Sequence, residues 1–143
     1  MNRKIIAKQA KYWYLSARHD YNTMLSLFKS NCYSDTLFYG HIVIEKTLKS
    51  LIVIEKGISA PMVHDLLILV KNTNLSLTQN ELYLLEKINQ FNIRARYPDY
   101  KLNFYKICDR PYTINYLNKI IELYKNICLN SKLKKLPETS PNS

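Results

Sequence analysis

The segment Asn92-Ile93-Arg94-Ala95-Arg96-Tyr97-Pro98-Asp99-Tyr100 holds two arginines, two tyrosines and a proline within nine residues. A guanidinium presents a planar fork of donors that matches phosphate oxygens in pairs. Arg94 and Arg96 are therefore candidate phosphate ligands. Tyr97 and Tyr100 beside them can stack on a base or hydrogen-bond to a ligand. Phe104, Tyr105 and Tyr112 follow, interleaved with Lys101, Lys106 and Arg110. Rings alternating with cations are the ingredients of a base-stacking surface. A plainer reading stands beside this one. Cations in the last turn of a helix complement its dipole by about 0.3–1 kcal/mol, with no ligand involved.

Two further groups carry chemistry. His41, Glu45 and Lys49 are spaced by four, which puts them on one face of a helix. The ordinary reading is an ion ladder worth about 0.3–0.5 kcal/mol per pair. A metal site would need more ligands than this spacing supplies. Asp20 shares a helical face with Trp13, Ala17 and Met24. A carboxylate on an apolar stripe is costly unless paired with Arg or Lys. Arg94 and Arg96 lie about 200° apart on a helix, so one is expected to turn inward, with Asp20 as its partner. His64 precedes Asp65 at a helix start and is expected to make a cap or loop contact.

Several function classes are excluded. The only glycines, Gly40 and Gly57, lie in no Gly-rich phosphate loop. Cys32, Cys108 and Cys128 contain no C-x-x-C pair, which argues against a disulfide framework and a zinc–cysteine site and for a reducing cytoplasm. Neither H-E-x-x-H nor G-x-S-x-G occurs. No apolar run approaches the roughly 20 residues that span a bilayer. The basic start, Met1-Asn2-Arg3-Lys4, lacks the apolar stretch of a signal peptide. A cytoplasmic chain without metal, cofactor or membrane contact is expected. Its 21 Lys and Arg against 11 Asp and Glu give +10, which suits an anionic partner or plain solubility.

The elements that must position these residues are helical. The 143 residues are one domain's worth and can bury a core unaided. Ile6, Ala10, Trp13, Ala17, Met24 and Phe28 predict a helix over about 4–28. Leu37, Ile44, Leu48, Leu51 and Ile52 predict a second over 33–56, closed by Gly57. A short helix should cover 63–72. Thr78 and Glu81 have capping-box spacing and open a helix carrying Leu82, Leu85, Ile88 and Phe91. Pro98 should stop it, with a loop of about a dozen residues following. The last helix should start near Asp109 with Pro111 in its first turn. The expected fold is all-α, an up-and-down bundle of four longer helices and one short one, over residues 1–131. Residues 132–143 are expected to be a basic, frayed tail. Leu37, Leu51 and Ile52 flank their stripe and are expected to be left over for a homodimer surface.

Trp13, Asp20, Glu45-Lys46-x-Leu48-Lys49-x-Leu51, His64-Asp65-Leu66-x-x-Leu69 and Arg96-Tyr97-Pro98-Asp99 together resemble the HEPN domain family (higher eukaryotes and prokaryotes nucleotide-binding), in a group with an R-Y-P-D turn. The resemblance covers about residues 10–128. It implies a helical bundle, a homodimer, and frequent pairing with a minimal nucleotidyltransferase in toxin–antitoxin or defence-like systems. It also implies a nucleotide or RNA ligand, with Arg94, Arg96, Tyr97 and Tyr100 in contact and Asp20, Glu45 and Lys49 in support. Many members are metal-independent ribonucleases with an Arg-x4-6-His motif. Here the fifth residue after Arg94 is Asp99, and no histidine follows His64. The second helix has His41-Ile42 where the family often has a Gln pair. A binding module is therefore expected. The alternatives are a divergent ribonuclease using Arg94 with Asp99 or a remote His41, and a purely structural dimer.

Overall fold

The computed structural model describes residues 1–136. Six α-helices follow one another: α1 (Arg3–Lys29), α2 (Tyr33–Lys56), α3 (Leu66–Lys71), α4 (Gln79–Arg96), α5 (Pro98–Ile107) and α6 (Arg110–Leu129). A 3-10 turn over Lys132–Lys135 ends the described chain, which contains no strand. The four long helices, α1, α2, α4 and α6, and the short α3 are those the periodicity predicts.

Local chemistry sets the helix ends. The Asn2 side chain accepts from the Ile5 amide, and Asp65 accepts from that of Leu67. Thr78 and Glu81 form the reciprocal capping box that their spacing predicts. Asp109 caps α6 by accepting from Tyr112, with Pro111 in the first turn. Gly57 closes α2 at φ 65°, a left-handed conformation that glycine adopts without steric cost.

The α2 helix is the axis of the fold. It packs along α1 most extensively and also meets α3, α4, α5, α6 and the final turn. Surrounded in this way, it buries side chains on nearly every face, from Leu37 through Ile44 and Leu48 to Val53. Gly40 marks the close approach to α6, where an added Cβ would lie 2.7 Å from Ile120 Cδ1. Leu37, Leu51 and Ile52 are wholly buried within one chain. They leave nothing over for a dimer surface, because α2 is central and not peripheral.

Two other expectations change. Pro98 does stop α4, with Tyr97 held at φ −90° and ψ 127°. The same proline then supplies the first position of α5, where its missing N–H costs nothing, so a helix replaces the expected loop. Only Phe104 of α5 is buried, while Leu102 and Tyr105 remain 75% and 71% exposed. Where the expected tail begins, Lys132–Lys135 form the 3-10 turn, capped by the preceding Ser131, and Leu133 enters the core. Residues 137–143 of that tail lie outside the described residues.

Candidate functional site

Helix α4 runs antiparallel to α2, so its last turn reaches the start of α2. Arg96 there is exposed, and its guanidinium lies over the Phe38 ring, 5.8 Å from the centroid. Arg94 points elsewhere. It is half-buried and lies 5.3 Å over Phe104 of α5. Cys108 lies nearby, and burial pushes its thiol up to about 12, although Arg94 pulls the other way. Arg110, at the start of α6, lies 5.2 Å over Phe28 near the end of α1. Three guanidiniums, each over an aromatic ring, thus gather at one end of the bundle. Tyr97 and Tyr100 stand beside them, 57% and 52% exposed. Asp99 is exposed in the first turn of α5.

The acid expected to meet an arginine is elsewhere. Asp20 faces α2, where Lys46 Nζ donates to its Oδ2 at 2.6 Å and to Ser16 Oγ at 2.8 Å. The carboxylate on the apolar stripe is paired, but by a lysine across the α1–α2 seam. Neither Arg94 nor Arg96 is its partner.

Glu45 organises a second polar group. Its Oε2 accepts from Lys49 Nζ at 2.9 Å and from His64 Nδ1 at 3.0 Å. Its Oε1 lies 3.6 Å from His41 Nδ1, outside hydrogen-bonding range. His41 Nε2 donates to the His64 carbonyl at 2.9 Å, which fixes the proton on Nε2 and leaves the buried Nδ1 without a hydrogen-bond partner. Asn89 of α4 donates to Asp65 Oδ1 at 2.9 Å and accepts from the Leu66 amide at 3.0 Å. The Lys49 ammonium also sits 5.3 Å over the Trp13 ring. Burial alone would raise the Glu45 carboxyl, but hydrogen bonds from Lys49 and His64 outweigh it and hold the group below its ordinary range. Burial lowers His41 against the opposing pull of Glu45.

The HEPN domain family model matches residues 10–129. The chain belongs to the HEPN family. No match was found among curated proteins or solved structures.

In this HEPN bundle the sequence-derived candidates divide into two places. Arg94, Arg96, Tyr97, Asp99 and Tyr100 share the α4–α5 corner. Glu45, Lys49 and His41 share the cluster that ties the α2–α3 connection to α2, and they hold no arginine. His41 is buried and engaged by a backbone carbonyl, so its imidazole is not presented to Arg94 or Asp99. His64 is the residue that sequence reasoning undervalued. Its side chain and carbonyl join two partners on α2, and no spacing rule links residues 19 and 23 positions apart. The available signal was the surplus of polar groups on the buried side of α2, which demanded an outside partner. Among the described residues, no group of three or more His, Cys, Asp or Glu side chains could hold a metal ion. No described helix is long and apolar enough to cross a membrane.

Proposed function

We propose that this HEPN domain, of the group with an R-Y-P-D turn, binds the phosphate of a nucleotide or RNA at the Arg96 end of the bundle. The observation that carries this reading is the split between the two arginines. Arg96 is exposed beside exposed Tyr97 and Tyr100, whereas Arg94 is half-buried against Phe104. Phe38 fixes one face of the Arg96 guanidinium and leaves its donor edge for a phosphate. Arg94 braces α5, and with it Tyr100. Arg110 over Phe28 extends the cationic end across α6 and α1.

The reading is a binding module and not a ribonuclease, because no imidazole accompanies the arginines. The resemblance supports a nucleotidyltransferase as protein partner, in a toxin–antitoxin or defence-like setting. It also supports a homodimer, and the exposed side chains of α5 offer an apolar surface for one.

The test uses Arg→Lys changes, which keep charge and remove the fork. Arg96→Lys should weaken nucleotide or RNA binding by about 1–3 kcal/mol, the scale of a lost charge-assisted contact, and leave the melting temperature in place. Arg94→Lys should mainly lower the melting temperature. Calorimetric titration with AMP and with a short oligoribonucleotide, beside thermal melts, measures both. Equal affinity of the Arg96 variant and the native protein would refute the site.

A further inference from the structure

Two stripes run side by side along the outer face of α1. Ile5 and Tyr12 lie two turns apart on one line, 44% and 64% exposed. Lys4, Lys8 and Lys11 keep helical spacing on the neighbouring line. The inner face of the helix is packed on α2, where Ser50 Oγ donates to the Ala10 carbonyl at 2.6 Å. Residues 1–19 carry Arg3, Lys4, Lys8, Lys11 and Arg18 and no Asp or Glu. The connection after α2 widens the apolar stripe. Gly57 packs against Ile6, where an added Cβ would lie 3.1 Å from Ile6 Cδ1. Ser59 Oγ donates to Met1 Sδ at 3.7 Å. The other end of the connection is held by His64 on Glu45. Between these anchors, Ile58-Ser59-Ala60-Pro61-Met62-Val63 contains no charge. Ile58 is 49% exposed there, and Met62 stands out of the surface at 98%.

We propose that this face, the start of α1 with the 58–63 connection, docks on an anionic lipid surface. Ile5, Ile58 and Met62 enter the boundary between headgroups and acyl chains. Tyr12 sits at headgroup level, where an amphipathic ring is favoured. Lys4, Lys8 and Lys11 lie over the lipid phosphates. A cationic stripe beside an apolar one is the pattern of a helix that lies in a membrane interface. The charge is complementary, because neither segment of the face brings a carboxylate to an anionic surface. Aliphatic side chains standing proud give acyl chains a contact and give a nucleic-acid base no stacking platform, which favours lipid over RNA. The expectation of no membrane contact rests on the lack of a run long enough to span a bilayer, and a helix lying on the surface needs none. The start of α1 is at the far end of the bundle from Arg96, so the proposal does not depend on the reading of that end.

Co-sedimentation of the full chain with vesicles tests this, using phosphatidylcholine alone and phosphatidylcholine mixed with phosphatidylglycerol, at about 0.1 M salt. The mixed vesicles should bind the protein at least about tenfold more tightly than the neutral ones. Replacing Lys4, Lys8 and Lys11 with Gln should weaken binding roughly fivefold per charge, on the order of a hundredfold together. Replacing Ile5 and Met62 with Ser should weaken it at least about tenfold without changing the salt dependence. Replacing Lys87, Lys101 and Lys119 with Gln removes the same charge from other helices and should stay within about threefold of native. None of these side chains is buried, and a thermal melt of each variant checks that the fold persists. The proposal is overturned if mixed vesicles at about 1 mM lipid sediment no protein. Equal loss in the two triple Lys variants overturns it as well, since attraction would then be diffuse. So does native binding by the Ser variant, or a short oligoribonucleotide that displaces the vesicles and loses its own binding when Lys4, Lys8 and Lys11 are changed.

Discussion

Replacing Glu45 with Gln keeps the shape of the side chain and removes one charge from the centre of the α2 cluster. In the native chain its Oε2 holds Lys49 at 2.9 Å and His64 at 3.0 Å. Lys49 is the decisive neighbour because its side chain is buried. After the change its ammonium would have a neutral amide and the Trp13 ring as company. Breaking a buried pair by removing one partner costs about 3–5 kcal/mol, since the other charge stays buried. His64 is mostly exposed, so its share is small. A domain of this length loses about 3 °C of melting temperature per kcal/mol, which gives a drop of roughly 10–15 °C. Urea unfolding measures the same loss as a lower midpoint. The reasoning makes a second demand. Lys49→Met in the Glu45→Gln background removes the stranded charge, so the double variant should recover more than half of the lost stability. A single variant within about 1 kcal/mol of native, or a double variant no better than the single, would refute the account.

Acid should weaken the fold in two stages. His41 has a folded pKa below its ordinary 6.5, so the unfolded chain binds the extra proton first and stability falls as pH drops below about 6.5. Glu45 sits below its ordinary 4.5 and adds a second loss as pH falls through that region. Urea midpoints from pH 7 down to about 3 test this, and a flat profile from pH 7 to 5 would count against the His41 part. Purified protein in EDTA should leave RNA intact. Cleavage by the native chain that Arg94→Ala abolishes would reverse the non-enzymatic reading. Light scattering should give the mass of two chains, and Leu102→Lys with Tyr105→Lys on the exposed side of α5 should give one. A native chain that stays monomeric at all accessible concentrations would remove the dimer.

The long helices were legible because their signals are local. Thr78 and Glu81, Gly57, and Asp109 with Pro111 each act within one turn, and each sits where its spacing puts it. Pro98 shows the limit of such signals. A missing N–H forbids continuation of α4 and permits initiation of α5, and the sequence alone does not choose between a loop and a helix. Partner choice was less legible. That Asp20 needed a cation followed from its place among apolar residues, but Lys46 and the arginines satisfy that need equally in one dimension. The packing of α1 on α2 decides it. The divergence of Arg94 and Arg96 did follow from helix geometry, although the inward arginine meets Phe104 and not a carboxylate.

Trp13 gives the molecule an optical property of its own. It is the only tryptophan among twelve tyrosines, so excitation absorbed by neighbouring phenols drains to one indole. That indole lies 5.3 Å from the Lys49 ammonium and edge-on to Tyr12. A charge fixed so close shifts the energy of the emitting state, and any loosening of the Glu45–Lys49 pair alters it. Emission from this chain therefore reports the α1–α2 seam and is blind to the arginine end. Protons or variants that disturb Glu45 will change its colour, whereas a ligand that settles on Arg96 will leave the light as it was.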